Sequence, residues 1–143
     1  MCSSDLLLDA GFAPGSFTTV GPFLGLISSV SWSTVAVGDT MGSHAGWLEA
    51  GTTNAPQWTT PASGARATPT MASAGSGSKA FSSAVSFSIS TSGTIKGCFL
   101  VFGSGAVVTN LSTAGTLYSA GTFASDKVVS NGDTLSVNYS TSL

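Results

Sequence analysis

The chain has 143 residues, enough for one domain with a real core, and 42% of them are hydrophobic, which excludes wholesale disorder. Only 7% are charged, against about 25% in an ordinary soluble domain, and four Lys and Arg against six Asp and Glu leave a net charge of -2. So few cations cannot neutralise a run of phosphates or hold an anionic membrane surface, and this excludes nucleic acid and membrane as partners. Polarity comes instead from 26 Ser and 18 Thr, which form hydrogen bonds without charge and give little protection against self-association.

In chain order, the opening Met1-Cys2-Ser3-Ser4-Asp5-Leu6 resembles a translated adapter remnant, so Cys2 carries no weight. No basic region leads into a long apolar stretch here, and no secretory leader is expected. No segment of the chain approaches the ~20 apolar residues that span a bilayer. Leu6 to Phe12 reads as a short helical turn stopped at Gly11. Residues 1–22 are expected to form an N-terminal arm, and residues 23–143 a single β domain.

Phe23-Leu24-Gly25-Leu26-Ile27 reads as a buried strand, and Val35 to Thr40 leads into a turn at Gly38-Asp39. Gly46 to Ala50 is a further strand candidate. The stretch from Gly51 to Gly64, with Pro56 and Pro61, reads as an irregular connection holding Trp58. Arg66 to Met71 reads as an edge strand, where Pro69 is tolerated. Gly75-Ser76-Gly77-Ser78-Lys79 lacks the spacing of a phosphate loop and reads as a flexible connection.

Strict alternation from Val85 to Ser90 puts apolar side chains on one face and hydroxyls on the other. Ser92-Gly93 then leads into Thr94 to Phe102, the pair reading as a hairpin whose second strand is central because both its faces are apolar. Thr116 to Ala120 and Lys127 to Val129 follow. Asn131-Gly132-Asp133 is a strong turn signal before an alternating strand from Thr134 to Tyr139. About eight short strands with Gly, Ser and Pro turns predict an all-β fold, an antiparallel β-sandwich or Greek-key barrel.

Chemistry-bearing residues are sparse. His44 is the single histidine, and its neighbours Ser43 and Asp39 are too close in sequence to make a catalytic triad. The acids are scattered, and Asp39, Asp126 and Asp133 stand beside small polar residues as turn-forming carboxylates do. Two cysteines make neither a disulfide framework nor a zinc site, and Cys98 in its apolar run reads as a small buried hydrophobe. No catalytic, cofactor or metal residue is therefore predicted. Trp32, Trp47 and Trp58 are the candidate interface residues, Trp47 leaning toward the core and the other two lying in loops.

From Gly38 to Glu49 the chain reads Gly-Asp-Thr-Met-Gly-Ser-His-Ala-Gly-Trp-Leu-Glu, and this resembles a family of small uncharacterised, head-associated structural proteins of tailed bacteriophages. The likeness continues at Ser78-Lys79-Ala80, Gly93 to Leu100, Gly115 to Gly121 and Val129 to Val137. Where relatives carry a Lys-Gly loop after the central strand, this chain has Gly103 to Ala106 and Asn110 to Gly115 instead. The resemblance implies a non-enzymatic virion component assembled in the host cytoplasm, with the major capsid protein or other virion proteins as partners. The first expectation is a capsid decoration protein, homo-oligomeric and bound to the outer face of the capsid lattice. A tail tube, tip or fibre subunit and a carbohydrate-binding surface module are the alternatives.

Overall fold

The computed structural model describes residues 20–142, so the expected helical turn at Leu6 to Phe12 and most of the arm lie outside the described residues. The fold is all-β. Eight strands are present among the described residues: β1 (Phe23–Ser28), β2 (Trp58–Thr60), β3 (Ser78–Ala80), β4 (Val85–Ile89), β5 (Gly93–Phe102), β6 (Thr116–Val129), β7 (Thr134–Val137) and β8 (Ser140–Ser142). They form two three-stranded sheets, β1-β5-β6 and β2-β4-β7, and a two-stranded ribbon, β3-β8. Every strand pairing is antiparallel.

The pattern of β1 and β5 explains the layering. All six residues of β1 are buried, a condition that only a strand covered on both faces meets. Leu24 and Leu26 join Ile95 and Leu100 of β5 in the core between the two sheets, together with Trp58, Phe87, Ile89 and Val137. On the opposite face, Phe23 and Ile27 join Phe99 and Val101 in a second cluster with Met41, Trp47 and Ala106. That second cluster is roofed by loops, which supply Met41, Trp47 and Ala106.

The alternating strand and the central strand do not form the expected hairpin. β4 pairs with β2 and β7, while β5 pairs with β1 and β6, so the turn around Ser92 carries the chain from one sheet to the other. The reason is side-chain demand. β4 alternates and needs one covered face, whereas β5 is apolar on both and takes the centre of its own sheet. The Asn131-Gly132 turn, with Gly132 at φ 95°, likewise crosses between sheets, from β6 to β7. Asp133 closes it by accepting the Ser130 N–H at 2.7 Å.

Other expectations also shift. Gly46 to Ala50 is no strand; it runs beside β1 through an isolated Ile27–Glu49 bridge and single backbone bonds. Arg66 to Met71 likewise makes only isolated bridges, Leu24–Ala67 and Met71–Phe81. The expected irregular connection contains β2, with Trp58 wholly buried edge-on to Phe87 at 4.9 Å. The last residues of the expected Gly75 to Lys79 connection enter β3, which pairs with β8. The two strand candidates after Thr116 are one fourteen-residue strand, β6.

β6 departs from regular pairing. Thr122 lies opposite Gly97 and Lys127 opposite Ile95, so Phe123, Ala124, Ser125 and Asp126 bulge out against Lys96 alone. Gly97 makes this possible. A Cβ there would lie 1.9 Å from the Gly121 carbonyl oxygen, so no other residue fits without parting the strands.

Candidate functional site

The most distinctive sequence motif builds a rigid loop. Asp39 accepts the Trp47 indole N–H at 2.8 Å and the Ala36 backbone N–H at 2.9 Å through one carboxylate oxygen, Oδ2. Thr40 and Ser43 exchange backbone bonds, closing the turn between them. His44 stacks on Trp47 with ring centroids 3.9 Å apart, and its Nδ1 lies 3.0 Å from the Trp47 carbonyl oxygen. Gly46 lets its neighbour in close: a Cβ there would sit 2.2 Å from the Thr34 carbonyl oxygen. Asp39 and His44 thus each spend a polar atom holding the loop that carries Trp47 into the second core.

Beneath that loop lies a buried ion pair. Glu49 meets Arg66 in a two-pronged contact, Nε to Oε1 and Nη2 to Oε2, both 2.8 Å, with both side chains buried. Arg66 also donates to the Val107 and Ser112 carbonyls, and Glu49 accepts the Leu111 N–H. The guanidinium lies 5.4 Å from the Phe99 ring centroid. Four separate stretches of chain are stitched together at this point. Sequence reading missed the pair, reading Arg66 into an edge strand. In a chain so poor in charge, an Arg and a Glu set among small and apolar residues were the available signal, because unpaired charges are almost never fully buried.

The three tryptophans part company. Trp47 and Trp58 have no exposed surface and pack in the two cores; Trp58 reaches the Ala65 carbonyl with its indole N–H at 3.0 Å. Trp32 is half-exposed, with Lys96 Nζ 5.9 Å from its ring centroid. It lines an open groove of about 640 Å³ between the Trp32 to Asp39 loop and residues Leu117 to Thr122 of β6. On the other side of the same strand lies a smaller groove of about 310 Å³, walled by Cys98 and Tyr139 and lined by Ser119 to Phe123 of β6. Tyr139 is tied to the strand by its hydroxyl, 2.9 Å from the Ser119 hydroxyl.

Cys98 is half-buried on the inter-sheet side, and burial pushes its thiol up to about 11 from an ordinary 9.0. Burial also raises Tyr139 above its ordinary 10.0, only partly opposed by its Ser119 hydrogen bond. Both groups hold their protons longer folded than unfolded, so both favour the folded state fully below pH 9 and progressively less above it. Stability is therefore expected to start falling near pH 9 and to go on falling toward about pH 11. Urea titrations at stepped pH measure this, and Cys98→Ala should flatten part of the decline.

Among the described residues, no three His, Cys, Asp or Glu side chains lie close enough to share a metal ion. Compared with known proteins, the chain matches no family model, no curated protein and no solved structure. What the described residues define is a small all-β, sandwich-like protein with a groove on either side of β6.

Proposed function

We propose that this protein is a non-enzymatic structural subunit of a tailed-phage virion, a decoration protein seated on the outer surface of the capsid lattice. The observation that carries the reading is the exposed β6 strand, uncharged from Thr116 to Ser125, in a protein with 7% charged residues. Such a surface is poorly defended against association and suits a permanent place among neighbours. The phage-like motif supports the same reading: its Asp39, His44 and Trp47 serve loop architecture, as a structural subunit requires. The test is the copy number of this chain in purified particles.

A second reading has one observation in its favour. Trp32 beside an open groove with Thr34, Ser119 and Thr122 in its lining is a combination that stacks on and hydrogen-bonds a sugar ring. Glycan-array silence, or binding unchanged by Trp32→Ala, removes it.

A further inference from the structure

We infer that the groove beside Trp32 is a recognition site for an uncharged pyranose residue, with the Trp32 ring as its platform and the second carboxylate oxygen of Asp39, Oδ1, as its hydroxyl acceptor. This rests on the saccharide reading of the groove, and adds to it the group that recognises the sugar and the charge class of sugar admitted.

Two polar side chains in the groove's lining have unused hydrogen-bonding capacity. Asp39 accepts the Trp47 indole N–H and the Ala36 N–H through Oδ2 alone. Its Oδ1 has no hydrogen bond or ion pair among the described residues, although Asp39 is only partly buried and lines the groove. Thr122, exposed in the same lining, also has a hydroxyl without a partner among the described residues.

The carboxylate is held still before any ligand arrives. The Asp39 N–H donates to the Ala36 carbonyl at 3.1 Å while Oδ2 accepts the Ala36 N–H at 2.9 Å, so the turn from Ala36 to Asp39 is closed twice. Oδ2 is tied besides to Trp47, which is packed in the second core. An acceptor fixed in advance loses little freedom on binding, and a hydroxyl-to-carboxylate bond is about twice as strong as one between neutral groups.

The aromatic partner lines the same space. Trp32 is the tryptophan of the groove, while Trp47 and Trp58 are wholly buried. Lys96 Nζ lies 5.9 Å from the Trp32 ring centroid, but Lys96 is outside the groove's lining and is paired with Asp126 at 2.6 Å. A pyranose has two surfaces that suit this set. Its ring C–H groups are apolar and pack on an indole face, and its hydroxyls radiate from the rim toward acceptors and donors. A wholly apolar ligand would instead strip water from Oδ1 and give it no partner. At about 640 Å³, the groove falls within the roughly 300–1,000 Å³ of small-molecule sites.

Charge sets the class of sugar. Among the described residues lining the groove, Asp39 is charged and there is no Lys or Arg. The carboxylate of an acidic sugar would be brought beside Asp39 with no cation to pair it, and that penalty selects uncharged sugars.

The full chain is titrated with neutral methyl hexopyranosides and disaccharides and with methyl hexopyranosiduronic acids. Binding is followed by NMR, through saturation transfer to the sugar protons and the shift of the Trp32 indole N–H. At least one neutral sugar is expected to bind saturably, more tightly than any uronic acid, and Trp32→Ala should abolish this. Asp39→Asn decides the role of the carboxylate. Its amide oxygen keeps the Trp47 and Ala36 bonds while its NH₂ puts a donor where Oδ1 accepted, so binding should weaken about tenfold or more with little change in melting temperature. If Asp39→Asn does not fold, Thr122→Val decides instead, with a loss of about threefold or more expected. Binding lost in Trp32→Ala but unchanged in the deciding variant overturns the inference and leaves the saccharide reading standing. Uronic acids bound as tightly as neutral sugars do the same. No binding by any sugar, or binding unchanged by Trp32→Ala, overturns both.

Discussion

Replacing Arg66 by alanine is expected to cost about 3–5 kcal/mol, because it leaves the Glu49 carboxylate buried without its partner. The loss is larger than one ion pair. The Val107 and Ser112 carbonyls lose their donor, and the loop they belong to loses its tie to the core. For a domain of this size the melting temperature should fall by roughly 10–15 °C. The contrast that identifies the cause is the double replacement Glu49→Leu with Arg66→Met. Removing both charges together avoids the stranded carboxylate and should recover most of the stability. Thermal melts of the single and double variants, followed by circular dichroism, decide the matter. A single variant as stable as wild type would mean that the pair does not hold the loops.

Trp47→Ala should cost a similar amount, about 3–5 kcal/mol, through the cavity it opens in the second core. Trp47 touches Phe99 on one side and His44 on the other, with ring centroids at 5.1 Å and 3.9 Å. Its removal also frees Asp39 from the indole N–H, so the Ala36 to Trp47 loop loses its internal brace. His44→Ala should be far milder, about 0.5–1.5 kcal/mol, because it removes a stacked ring and one local hydrogen bond from the rim. Urea unfolding of the two variants measures the difference. A His44 variant as damaged as the Trp47 variant would contradict the roles assigned here.

The strands that were legible in the sequence are those whose side-chain pattern is set by burial. Phe23 to Ser28 and Gly93 to Phe102 are apolar on both faces and are covered on both, with Gly93 to Phe102 at the centre of its sheet, and Val85 to Ile89 alternates and is covered on one face. Pairing was less legible. A short turn between an alternating strand and an apolar strand suits a hairpin or an inter-sheet crossing equally, and tertiary demand chose the crossing. Trp58 was placed in a loop because Pro56 and Pro61 flank it, yet its indole fills the inter-sheet core from a strand of only three residues. The grooves beside β6 could not be read from sequence at all. They depend on which strand ends the sheet and on the residues brought beside it, Trp32 to Asp39 and Asn138 to Ser140.

The measurement closest to the structural-subunit proposal is quantitative mass spectrometry on purified particles, counting this chain against the major capsid protein. A decoration role predicts a copy number approaching that of the capsid protein. A far lower number would contradict decoration and point to the tail or a vertex, and absence from the particles would contradict a virion role altogether.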